Sequence, residues 1–77
     1  MTDGKSQNEL TQLAEEALRA QPGCETARVR AVAALPDGQV GRNWEIPNVV
    51  LGDSLISDVD RAVLSVHRRL GRQFHLV

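Results

Sequence analysis

The chain has no tyrosine, one phenylalanine and one tryptophan among its 77 residues. A large aromatic side chain can bury ~150–250 Å², so in so small a protein one indole decides what packs where. That indole, Trp44, lies in Gly41-Arg42-Asn43-Trp44-Glu45-Ile46-Pro47. Two readings are open for it. The ring is either a core aromatic packed on a helix, or an exposed platform flanked by Arg42, Asn43 and Glu45, of the kind that anchors interfaces. Cysteine is equally scarce. Cys24 stands alone, so no disulfide can form within the chain, and a lone cysteine points to a reducing, cytoplasmic compartment. It reads as a small buried hydrophobe. Long apolar runs are missing too. No stretch approaches the ~20 residues of a membrane span, and Met1–Lys5 has no positive segment leading into an apolar one, so no secretory leader is expected.

Charge of one sign is also lacking. Nine basic residues face ten acidic ones, for a formal net charge of −1. That balance excludes a strong field of either sign and leaves no footprint of general nucleic-acid binding. Catalytic signatures are absent as well: no nucleophile elbow, no phosphate-cradling Walker loop, no dinucleotide fingerprint and no zinc-protease helix. Asp58 and Asp60 are two residues apart, so they do not face each other on a helix. His67 and His75 match no common ligand pair and lie far from Cys24 in sequence, so neither a metal nor another cofactor is expected. Catalysis is not expected either.

What is present is an alternation of helical and extended patterns. Met1–Lys5 reads as a frayed tail, with a single domain over residues 6–77. Ser6 and Glu9 form a capping box. Leu10, Leu13, Ala14, Ala17 and Leu18 then make one apolar helical face, which Pro22-Gly23 terminates. From Thr26 to Leu35 the period drops to two. Ala27, Val29, Ala31, Ala33 and Leu35 form the expected core face of a strand, with a helix as the alternative for this alanine-rich stretch. Pro36-Asp37-Gly38 signals a turn, continued to Gly41 as a loose hairpin loop of about 5–7 residues. A second strand is expected over Arg42–Leu51. Pro47 interrupts it and implies an edge position or a bulge, since proline cannot donate to the ladder.

The second helix is predicted to start near Asp53 or Ser57. Val59, Ala62, Val63, Val66 and Leu70 share its apolar face, and Leu55 and Ile56 join them if it begins at Ser54. Asp53, Asp58 and Asp60 near its start and Arg68, Arg69 and Arg72 near its end suit the helix dipole, and Gly71 fits the residue just past its end. Phe74 and Leu76 alternate with Gln73 and His75 as a short third strand, with a helix extension or a packed tail as the alternative. The predicted architecture is α+β, in the order α-β-β-α with a possible C-terminal strand. Both helices lie on one face of a small antiparallel sheet, and Arg28, Arg30, Asn43 and Glu45 occupy the other.

The order from Cys24 to Val77, with Val29-Arg30, the turn and Asn43-Trp44-Glu45-Ile46 before a helix, resembles small uncharacterised bacterial proteins that carry an Asn-Trp-Glu strand before a C-terminal helix. The resemblance implies no activity and transfers no functional residue. The residues themselves point to a non-enzymatic interaction module or accessory subunit that self-associates, most simply as a symmetric dimer. A chain this short buries only ~60% of its unfolded surface and gains margin from a partner. The candidate contact residues are Arg42, Asn43, Trp44 and Pro47, with Leu64, which falls well off the apolar face of the second helix. The alternative function is nucleic-acid binding through phosphate contacts at Arg61, Arg68, Arg69 and Arg72. That reading lacks lysine clusters and interleaved aromatics.

Overall fold

The computed structural model describes residues 2–35 and 42–77. The expected turn at Pro36-Asp37-Gly38 and its continuation to Gly41 lie outside the described residues. The fold is α+β. In chain order the elements are β1 (Asp3–Lys5), α1 (Gln7–Arg19), β2 (Arg28–Val29), β3 (Ala33–Ala34), β4 (Trp44–Glu45), β5 (Val49–Val50), α2 (Ile56–Gln73) and β6 (Phe74–Leu76).

The capping box forms as the sequence requires: the Glu9 amide donates to Ser6 Oγ at 3.2 Å, and the Ser6 amide to Glu9 Oε1 at 3.3 Å. The Ser6 amide, and then the Ser6 side chain, hold the Glu9 carboxyl below its usual pKa. Leu10, Ala14 and Leu18 are the buried side of α1. The chain leaves the helix through Gly23, whose φ of +81° suits glycine. A Cβ there would stand 2.7 Å from Asp58 Oδ2 on α2, so the turn also lets the two helices close together.

Strands β2 to β5 form one antiparallel hairpin in two pieces. Arg28 and Val29 pair with Val50 and Val49, and Ala33 and Ala34 pair with Glu45 and Trp44. Both pieces keep the same register, so the interruption holds no extra residue and is not a bulge. Pro47 falls opposite Ala31 at its centre, where it has no N–H to give. Helix side chains serve the backbone there instead. The Val32 amide donates to Thr11 Oγ1 at 3.1 Å, Gln7 Nε2 donates to the Val32 carbonyl at 3.0 Å, and the Ile46 amide donates to His67 Nε2 at 2.9 Å. The break also alters the expected core face. Ala27 and Val29 are buried, but beyond them Val32 is the fully buried residue rather than Ala31 or Ala33, because the chain turns towards α1 where the ladder is open.

Two other expectations are corrected. Residues Asp3–Lys5 are not a frayed tail. They pair in parallel with Phe74–Leu76 as β1 against β6, and the pairing is reinforced by Thr2 Oγ1 at 2.8 Å from His75 Nδ1 and by the Lys5 ammonium over the Phe74 ring at 5.6 Å. Helix α2 runs through Gly71 to Gln73 instead of stopping there; the missing Cβ makes room for Arg42, whose Cδ would lie 3.3 Å from it. Its N-cap is Leu55, without a side-chain cap bond, so Leu55 lies outside the helical repeat and Ile56 only begins it. The start lies beside the expected Ser57 and not at Ser54, so the condition for both to join the buried face is not met, and both are 66% exposed.

The core gathers Leu10, Leu18, Cys24, Val32, Trp44 and Val66 as its largest fully buried side chains. Cys24 is the small buried hydrophobe expected, and burial raises its thiol pKa, with Asp58 and Glu25 adding to the effect. Among the described residues no helix is long and apolar enough to cross a membrane.

Candidate functional site

The strand that the sequence singled out faces inward. Trp44 is completely buried. Its Nε1–H donates to the Phe74 carbonyl at 3.2 Å, which satisfies the one polar atom that indole burial would otherwise strand. Asn43 uses its whole amide on the next turn of the same strand: Nδ2 donates to the Leu76 carbonyl, and Oδ1 accepts from the Leu76 amide, both at 2.8 Å. Side chains of Asn43 and Trp44 thus clasp the outer edge of β6, while β1 pairs with its inner edge. An edge that would otherwise present unpaired backbone groups is closed from both sides.

Arg42 completes the arrangement. Its Nε donates to the Trp44 carbonyl at 2.8 Å, and one terminal nitrogen lies 3.1 Å from His67 Nδ1. The His67 ring stands edge-on to Trp44, with centroids 5.9 Å apart and planes at 80°. Both neighbours of the imidazole, the Ile46 amide and the Arg42 guanidinium, are donors, and a neutral imidazole has one acceptor nitrogen. The ring therefore meets one of them as a hydrogen bond and the other as a donor. Protonation would leave it no acceptor at all. Burial, then the Arg42 charge, pushes its pKa down to about 4. Arg42, Asn43 and Trp44 are thus not an exposed partner-binding surface; their groups are spent on holding the C-terminal strand and the second helix.

Pro47 and Leu64 are on the surface as expected, Leu64 at 66% exposure. Pro47 lies on the rim of an apolar groove of about 240 Å³ between β5 and the first half of α2, lined by Ile46, Val49, Leu51, Ile56, Val59 and Val63 with Asp60 at its edge. That volume falls below the ~300–1,000 Å³ typical of pockets that enclose a small molecule. A larger depression of about 470 Å³ at the end of α1 is an open dent lined by Glu16, Arg19, Ala20 and Glu25. Ile56, which lines the groove, is one of five exposed large apolar side chains among the described residues, with Val50, Leu55, Leu64 and Val77. The sequence pattern puts Leu55 and Ile56 on the buried face only for a helix that begins at Ser54; with the start at Ile56 both are surface residues. The usable signal was the helix start, which no strong capping residue marks.

The four arginines of the alternative reading, Arg61, Arg68, Arg69 and Arg72, are all exposed on α2. Among the described residues the one ion pair is Arg28–Glu15, at 3.5 Å, so none of the four has an acidic partner there. No three or more His, Cys, Asp or Glu side chains among these residues come together as metal ligands would. Against protein-family models, curated proteins and solved structures, the chain finds no significant match.

Proposed function

We propose that this protein is a small, non-enzymatic interaction module of the cytoplasm that works by self-association. Its contact face is the exposed side of α2 with the adjoining groove, and its occupant is a second copy of the same chain. One observation carries this reading: Leu55, Ile56 and Leu64 project from a single helix and its lead-in, beside an open apolar groove. Monomeric proteins seldom leave such side chains clustered without a use for them. The near-zero net charge imposes little repulsion between copies.

Light scattering on a sizing column, over a wide dilution series, tests the proposal. A dimer that dissociates on dilution is the expected result, and replacing Ile56 and Leu64 together by serine should abolish it without unfolding the chain, since both side chains are solvent-facing. A strict monomer at every concentration contradicts the proposal.

The exposed arginines, without an acidic partner among the described residues, favour a second reading, in which Arg61, Arg68, Arg69 and Arg72 contact phosphates of a nucleic acid. Salt separates the two. Phosphate contacts weaken steeply as salt rises, whereas an apolar contact barely responds. Failure to shift any nucleic acid at low salt removes this second reading.

A further inference from the structure

The outer surface of α2 carries one ridge of residues four apart: Ile56, Asp60, Leu64, Arg68 and Arg72, all exposed. Such ridges are the units by which helices interdigitate. This ridge has a symmetry of its own. Leu64 stands at the middle, Asp60 four residues before it and Arg68 four residues after. Within one molecule the two charges are eight residues apart, about 12 Å along the axis, and cannot meet. Neither has an opposite charge three or four residues away in its own helix, and neither forms an ion pair among the described residues.

We infer that two copies of this chain pair antiparallel through α2 about a two-fold axis at Leu64, with Asp60 of each copy against Arg68 of the other. The inference rests on the self-association proposed above and adds its geometry. A two-fold contact must be self-complementary, and the centre of this ridge meets that requirement. Leu64 meets its own equivalent, and Asp60 meets Arg68 twice. A parallel pairing would instead set Asp60 against Asp60 and Arg68 against Arg68. The same acidic start and basic end that suit the helix dipole therefore also select the antiparallel orientation, and like charges disfavour the other one.

Charge reversal in trans tests this directly. Asp60→Arg and Arg68→Glu are made as separate proteins, and circular dichroism confirms that each keeps its helices. Sedimentation velocity is then run on the wild type, on each variant alone and on their equimolar mixture. Each variant alone places two like-charged contacts about the axis and should dissociate at least about tenfold more readily than the wild type. The mixture places opposite charges at all four positions and should recover a heterodimer at wild-type strength or better. Wild-type dimers together with variants that associate unchanged, or with a mixture that stays monomeric, overturn the Leu64-centred geometry while leaving self-association standing. A wild type that never dimerises overturns both. Should either reversal lose its helices, Asp60→Asn and Arg68→Gln replace them in the same series; loss of association in each alone supports the geometry, and unchanged association overturns it.

Discussion

In Arg42–Trp44 every polar side chain is engaged within the molecule, while on the ridge from Ile56 to Arg72 no side chain finds a hydrogen bond or ion pair among the described residues. Both stretches carry the residue types that make interfaces: arginine and tryptophan in one, arginine and leucine in the other. What separates them is what the chain lays beside them. Strand β4 lies against β6 and the last turns of α2, whose backbone offers acceptors that Asn43 and Trp44 can reach. The ridge lies on the exposed side of α2, with nothing among the described residues over it. In a small domain a motif with many hydrogen-bonding groups is therefore as apt to be a fastener as a binding site.

The contrast can be broken most severely at Trp44. Trp44→Ala removes the largest buried side chain and the Nε1 bond to Phe74, so it should cost about 3–5 kcal/mol, a large share of the ~5–15 kcal/mol that holds a domain of this kind together. Chemical denaturation should show a partly or wholly unfolded variant, whereas Leu64→Ser should unfold at the wild-type midpoint. A Trp44→Ala protein with undiminished stability would return the indole to the surface.

Next comes acid. An unfolded imidazole titrates near 6.5, and folded His67 near 4. Between those values the unfolded chain binds the extra proton, so this group's contribution is intact above about pH 6.5 and is lost progressively as the pH falls towards 4. The ring is only partly buried, so the full linkage figure is discounted to about 1–2 kcal/mol. Melting curves of the wild type and His67→Gln between pH 7 and 4 should converge as the pH drops; parallel curves would remove His67 from the acid response. Asn43→Ala is expected to cost a similar amount or somewhat less, about 1 kcal/mol, because water can reach the half-buried Leu76 backbone. Its signature is local: faster hydrogen exchange at the Leu76 amide, with the rest of the chain unchanged. The smallest effect belongs to Gly71→Ala. Helix propensity favours alanine by about 1 kcal/mol, but the new Cβ would press on Arg42 at 3.3 Å, so the net change should stay within about 0.5 kcal/mol. A loss of several kcal/mol would mean that Arg42 cannot yield.

Much of this architecture was legible in the residues. The capping box, both amphipathic helices, the hairpin and the break at Pro47 all follow from local periodicity and backbone chemistry. Asp3–Lys5 was not legible as a strand, because parallel pairing with β6 rests on backbone groups and joins the two ends of the chain. Gly71 looked like a helix end, since its conformational freedom is visible in sequence and the space it leaves for Arg42 is not. Trp44 was undecidable for a similar reason. Its neighbours Arg42, Asn43 and Glu45 are polar, and only the fold shows that two of them turn their groups inward. Of the candidate contact residues, Leu64 and Pro47 could be read from pattern alone, while Ile56 depended on where α2 begins.

Trp44 is the only tryptophan and there is no tyrosine, so the emission spectrum reports on one residue. The most direct test is that spectrum, recorded through a dilution series in which sedimentation follows dissociation of the proposed dimer. A blue-shifted maximum that does not move while the dimer dissociates is the expected result: the indole belongs to the core and the contact lies on α2. A maximum that shifts to the red in step with dissociation would contradict the account, because it would place Trp44 in the interface.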